Sequence, residues 1–251
     1  MADGTGGGGG FPLTRQSAIA DLMAADPAER ARGRDALTRV YWKPVYKYLR
    51  LHWRKPPDEA EDVTQEFFLR CLDKDTLAAY RPERGRFRTF LRSCLDRFVT
   101  DQYRRAAAQK RGGGKAGIDI ADAERELAAA PAATAVDPQA LFEAEWARHI
   151  FTLAVAALRQ SLDERGKQNY FRVFELHHLG EGEKPPSYAE VAAALGAQVH
   201  DVTNWLSYAR REFRRLALEL LREVTVSDEE FQDEARALFG VDAGADPPGS
   251  P

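Results

Sequence analysis

Cysteine is nearly absent: Cys71 and Cys94 are the only two in 251 residues, and they form no C-x-x-C pair. That excludes a disulfide framework and a four-cysteine zinc site, so both are expected to be small buried apolar side chains. No run approaches the roughly 18 uninterrupted apolar residues that cross a bilayer, and the start lacks the basic-then-apolar order of a secretory signal. The expectation is a cytoplasmic protein with no membrane partner. H-E-x-x-H, G-x-S-x-G and carboxylates paired at metal spacing are missing as well, so no catalytic residue, metal or other cofactor is assigned. Strand-like alternation is absent throughout, which leaves an all-α fold in two helical units.

Charge is present but segregated. Residues 81–111 hold ten Lys and Arg (Arg81, Arg84, Arg86, Arg88, Arg92, Arg97, Arg104, Arg105, Lys110, Arg111) against Glu83, Asp96 and Asp101, a balance of +7. Because the whole chain carries −3, the remainder carries −10. Blocks of opposite sign on one chain point to a polyanion for the basic block and a basic partner for the acidic ones, or to nothing more than a solvated charged face.

Residues 1–25 comprise a glycine-rich arm and the start of the first helix; no strand precedes those glycines, so they are not a phosphate cradle. A domain is expected over residues 26–111. Asp26-Pro27 opens a helix, Pro44 kinks or restarts it, and Pro56-Pro57 ends it. Asp58 then opens a second helix, with Glu61 three residues on. Ala60, Val63, Phe67 and Cys71 give that helix an apolar stripe, opposite Asp62, Gln65, Glu66 and Leu69. Phe87, Phe90, Leu91, Cys94, Leu95 and Phe98 give the clearest helical period in the chain, with most of its arginines off the stripe.

Gly112-Gly113-Gly114 and an Ala/Pro-rich acidic stretch form a linker over residues 112–136, with a short helix near residues 122–128. A second domain is expected over residues 137–225, opening at Asp137-Pro138 with Phe142, Trp146, Ile150, Leu153 and Ala157 on one face. His177-His178 reads as a helix end. Ser187-Tyr-Ala-Glu190 is a capping box, followed by Gly196 and a further helix holding Val202 and Leu206, so residues 187–215 have the helix-turn-helix pattern. Small Ala192 and Ala193 favour close helix approach, and Arg210, Arg211, Arg214 and Arg215 place cations for phosphates. Residues 226–251 form an acidic C-terminal helix and tail, with a capping box at Ser227-Asp-Glu-Glu230, packed on the second domain or acting as a regulatory element.

Two motif sets resemble one family. Asp58-Glu-Ala-Glu-Asp-Val-Thr-Gln-Glu-Phe-Phe68, Gly85-Arg-Phe-Arg-Thr-Phe-Leu91 and Asp101-Gln-Tyr-Arg-Arg105 resemble region two of bacterial sigma-70-type initiation factors of the small, extracytoplasmic-function kind. Ser187-Tyr-Ala-Glu-Val-Ala, Leu195-Gly196 and the stretch from Val202 to Arg211 resemble region four. The resemblance implies a sigma factor that binds core RNA polymerase and directs promoter recognition and DNA melting. Asp62, Gln65, Glu66 and Leu69 map to the surface docking on the clamp helices of the largest polymerase subunit. By position, Arg84, Arg86, Arg88, Arg92, Arg97 and Arg104 read the minus-ten element and hold a flipped base of the separated strand. His200, Asp201, Thr203, Asn204, Ser207, Tyr208, Arg210, Arg211 and Arg214 map to the helix reading the minus-thirty-five element of promoter DNA.

The chain departs from the family pattern in places. Gln198 stands where a serine cap is common, and Thr203, Trp205 and Tyr208 stand where basic residues are common. Arg97 replaces a frequent Asn and Phe90 a frequent Trp, which leaves the preferred minus-ten sequence open. An anti-sigma protein or a regulatory kinase is a candidate further partner, and the sequence does not say whether either controls the factor. Two rivals remain: a one-component helix-turn-helix regulator binding duplex DNA without polymerase, and an all-α nucleic-acid enzyme.

Overall fold

The computed structural model describes residues 17–71, 76, 79–112, 137–180 and 184–240. The glycine-rich arm up to residue 16, the linker after residue 112 with its expected helix near 122–128, and the tail after residue 240 lie outside them. Among the described residues every regular element is helical, in agreement with the all-α expectation. The helices are α1 (Ala18–Met23), α2 (Pro27–Leu51), α3 (Pro57–Cys71), α4 (Phe87–Gly112), α5 (Pro138–Glu164), α6 (Gln168–His178), α7 (Tyr188–Leu195), α8 (Val199–Val224) and α9 (Asp228–Phe239), with a 3₁₀ turn at Pro82–Arg84. No helix is long and apolar enough to cross a membrane among them.

The chain divides into two compact units, Met1–Trp146 with Val224–Asp233, and Ala147–Glu223 with Glu234–Pro251. The division therefore falls inside α5 and again inside α9, where the sequence pattern had placed boundaries in the linker and after residue 225.

In the first unit, Asp26 accepts a bond from the Ala28 amide and Pro27 occupies the first helical position, as the sequence predicts for α2. Pro44 does not restart the helix: α2 continues through it to Leu51 with the proline buried. Arg54, the one described non-glycine residue at positive φ (50°), turns the chain after α2, and the Lys55 amide bonds back to the Leu49 carbonyl. Helix α3 begins at Pro57, one residue before the expected Asp58 opening, because the Ala60 amide bonds to the Pro56 carbonyl. Tyr41, Tyr48, Phe67, Phe87 and Leu95 are fully buried.

In the second unit, α7 carries the predicted capping box, with Ser187 accepting from the Glu190 amide and the Glu190 carboxylate accepting from the Ser187 amide. Gly196 closes α7 in the left-handed conformation (φ 62°), which a residue with a Cβ adopts only at a cost. Val173 of α6, Val191 and Ala192 of α7, and Val202 and Leu206 of α8 form one buried cluster, the core of a helix-turn-helix. Ala192 is buried while Ala193 faces solvent, so only one of the two small residues serves the helix contact. In α5 the buried row in this unit is Ile150, Ala154, Leu158 and Leu162, leaving the expected Leu153 and Ala157 half-buried.

Gly33 of α2 lies directly against α1: a Cβ added there would stand 2.4 Å from the Ala18 carbonyl oxygen and 2.8 Å from the Leu22 nitrogen. Both obstacles are backbone, so relief requires moving a helix. Gly33→Ala is expected to destabilise the first unit by about 1–3 kcal/mol and to speed amide exchange across residues 18–23, measured by urea melts and exchange mass spectrometry.

Candidate polymerase and nucleic-acid interfaces

The first candidate surface is on α3. Its apolar stripe buries Ala60, Val63, Phe67 and Phe68, which turns Asp62, Gln65 and Leu69 outward at i, i+3 and i+7. Leu69 is 77 % exposed, a large apolar side chain flanked by polar neighbours. Glu66 is placed differently: it pairs with Arg70 at 2.9 Å and accepts a bond from the Gln102 amide nitrogen at 2.6 Å, so it ties α3 to α4. The expected acidic face is thus Asp62, Gln65 and Leu69, with Glu66 as a bracket at its edge. The side chain of Cys71 lies outside the described residues.

The basic block divides into displayed and internal arginines. Arg84, at the end of the 3₁₀ turn, and Arg97 and Arg104, on α4, are exposed, and Arg86 is half-buried. Arg88 departs from the expectation of a DNA contact: only 4 % of it is exposed, its guanidinium lies 4.7 Å from the Trp146 ring centroid, and Glu143 is 3.6 Å away. Arg92 is also turned inward, donating to Gln139 (2.6 Å) and pairing with Asp96. Asp96 in turn accepts from the Tyr48 hydroxyl (3.0 Å) and the Trp53 indole (3.1 Å). Cys94 is half-buried rather than fully buried, and burial pushes its thiol up. Arg88 and Arg92 follow phenylalanine or leucine within the apolar period, and their helical positions point them at the start of α5, which carries the matching carboxylate, amide and indole. That partner is remote in sequence, so a local reading treats all six arginines alike.

Two sets of contacts beside this block are not among those the sequence pattern predicts. Trp53 and Tyr103 stack at 6.0 Å, with the Lys55 ammonium 4.9 Å from the Tyr103 centroid. Glu230 of α9 accepts from the Phe87 amide at 2.7 Å and from the Val226 amide at 2.9 Å. Burial pushes the Glu230 carboxyl up, opposed by those two amides and by Arg88 and Arg86. The Tyr80 hydroxyl, raised first by burial and then by the charge of Glu230, donates to the Gly85 carbonyl.

The other candidate surface is on α8. His200, Asn204, Ser207 and Arg211 form one exposed stripe, with Thr203 beside it. Gln198 is the poor cap the sequence suggests, yet its amide is satisfied: Asp201 accepts it at 3.1 Å, supplying half of a capping box without the serine. Asp201 therefore serves the helix start. Tyr208 faces Arg165, which donates to its hydroxyl at 3.0 Å, and Lys167, 3.8 Å from its ring centroid; bonds from Lys167 and then Arg165 lower its pKa. Arg210 donates to His178 Nε2 at 3.0 Å, and the Arg214 guanidinium lies 5.6 Å from the Phe239 ring centroid. Of the nine expected residues, the structure gathers His200, Thr203, Asn204, Ser207 and Arg211 on one exposed face, where His200 lies 3.1 Å from Asp201 and Thr203 donates to the Val199 carbonyl, and it turns Tyr208, Arg210 and Arg214 towards other elements.

Among the described residues no group of three or more His, Cys, Asp or Glu is placed to hold a metal ion. Residues 37–109 match the family model Sigma-70 region 2, which spans α3, most of α4 and the second half of α2. Neither a curated protein nor a solved structure matches the chain. The match marks residues 37–109 as similar to region 2 of sigma-70 factors, the segment that carries the α3 face and the basic block.

Two measurements check this division of roles. Arg92→Ala leaves Asp96 short of a donor and is expected to cost about 1–3 kcal/mol, whereas Arg97→Ala is expected to stay within about 0.5 kcal/mol, both by urea denaturation. Burial, Arg210 and His177 hold His178 down to about 4, against an ordinary value near 6.5. Between those values the unfolded chain binds more protons than the folded one, so stability is full above about pH 6.5 and declines as pH falls towards 4. His178→Asn is expected to flatten that decline in melts at pH 7, 5 and 4.

Proposed function

We propose that the chain is a sigma factor of the extracytoplasmic-function type that binds core RNA polymerase and directs promoter recognition and DNA melting. The observation that carries this reading is the order of its parts. A segment matching Sigma-70 region 2 displays an acidic-apolar face on one helix and exposed arginines before and along the next. A helix-turn-helix with an open polar stripe follows in the second unit.

Asp62, Gln65 and Leu69 form the polymerase-docking face, suited to the clamp helices of the largest subunit, with Glu66 holding its edge. Arg84, Arg86, Arg97 and Arg104 contact the minus-ten strand, supplying cations to phosphates while an unpaired base leaves the stack; Arg88 and Arg92 support them from within. In the second unit Asn204 is suited to a bidentate contact with adenine and Arg211 to guanine or phosphate in the minus-thirty-five groove. Such a factor works in the cytoplasm.

Runoff transcription with purified core polymerase tests the proposal. The chain is expected to confer promoter-specific initiation. The double variant D62A/Q65A is expected to bind core about tenfold more weakly, about 1.4 kcal/mol, with an unchanged melting temperature. Tight, sequence-specific binding of duplex DNA by the chain alone, with no effect on core polymerase, would identify a one-component regulator instead.

A further inference from the structure

The acidic start of α9 belongs to the first compact unit, although 143 residues separate Glu230 from its partner Phe87. Val224, Thr225, Val226 and Phe231 in this segment are buried. Ser227 caps the helix by accepting from the Glu230 amide at 3.1 Å. In an ordinary capping box the Glu230 carboxylate would return to the Ser227 amide. Here it spans instead from the Val226 amide to the Phe87 amide in the first turn of α4.

That amide, on the buried Phe87, directly follows Arg86 in the basic loop and helix start proposed above to meet the minus-ten strand. A first-turn N–H favours a carboxylate or phosphate oxygen, because the helix dipole and the unsatisfied donor act together. Around it lies a cavity of about 420 Å³, lined on one side by Tyr80, Gly85 and Arg86 and on the other by Asp228, Glu229 and Asp233. The segment thus brings three exposed carboxylates and one bonded carboxylate to the loop that carries Arg84 and Arg86.

We infer that residues 224–233 are an autoinhibitory clasp: Glu230 occupies the anion position at the start of α4, and Asp228, Glu229 and Asp233 repel nucleic-acid phosphates from Arg84 and Arg86. Strand binding then requires the clasp to leave, so the free chain holds its own basic loop in a closed state. This inference rests on the proposed nucleic-acid role of that loop.

Fluorescence anisotropy with a labelled mixed-sequence single-stranded DNA tests it in the full-length protein at low salt. The variants are E230A, the exposed-residue triple variant D228N/E229Q/D233N, and R84E/R86E, with exchange at the Phe87 amide followed in each. The clasp predicts faster Phe87 exchange in E230A, and about fivefold or more tighter binding in E230A and in the triple variant, with the gain shrinking as salt rises. The triple variant keeps the test open should E230A fail to fold. If R84E/R86E loses binding but neither acidic variant gains it, the clasp is overturned and the role of the loop stands. If R84E/R86E binds like the parent, the loop role fails and the clasp with it.

Discussion

One carboxylate organises the first unit. Asp96 on α4 collects the Tyr48 hydroxyl and the Trp53 indole from α2 and its exit turn, and it holds Arg92 on its own helix. Arg92 passes the constraint on to Gln139 of α5, whose amide donates in turn to Thr89 and Glu143. Three helices distant in sequence are fixed in register by this run of polar contacts. Each group in it is satisfied, the condition under which an interior polar network specifies one arrangement instead of weakening the core.

The consequence for the surface is a separation of labour among like residues. Arg88 and Arg92, facing α5, pair with Glu143 and Asp96, and Arg88 covers Trp146, while Arg97 and Arg104 of the same helix remain exposed. The same economy appears in α8, where Asp201, Tyr208 and Arg210 hold the helix start and its neighbours and leave Asn204, Ser207 and Arg211 clear. Rigid support beneath a polar stripe lowers the cost of any contact made there, because each contact then forms without ordering the side chains below it.

Much of this was legible in the sequence, for local reasons. The helical period around Phe87, the capping box at Ser187, the glycine at 196 and the stripe opposite Val63 and Phe67 each depend on residues within a few turns, and each is found where the pattern puts it. What escaped depends on remote partners. The withdrawal of Arg88 follows from Trp146 and Glu143, and the bond from Phe87 to Glu230 bridges most of the chain; neither leaves a periodic trace. Pro44 escaped for a different reason: its helix is held by burial on both sides of it, and packing outweighs one missing donor. The split of α5 between two units was hidden because its apolar row continues without a break while the partners change.

The discontinuity of the first unit also bears on biosynthesis. A ribosome releases the chain from the amino end, so α2, α3 and α4 emerge long before Glu230 exists to accept from Phe87. The second unit is divided as well, since residues from Glu234 onward belong with Ala147–Glu223. Until residues 224–233 appear, the first turn of α4 has only water or another anion for its amide, and Val226 and Phe231 are not there to be buried. Folding of the first unit is therefore completed only once residues 224–233 have emerged, and a chain truncated before them would carry its basic loop uncovered.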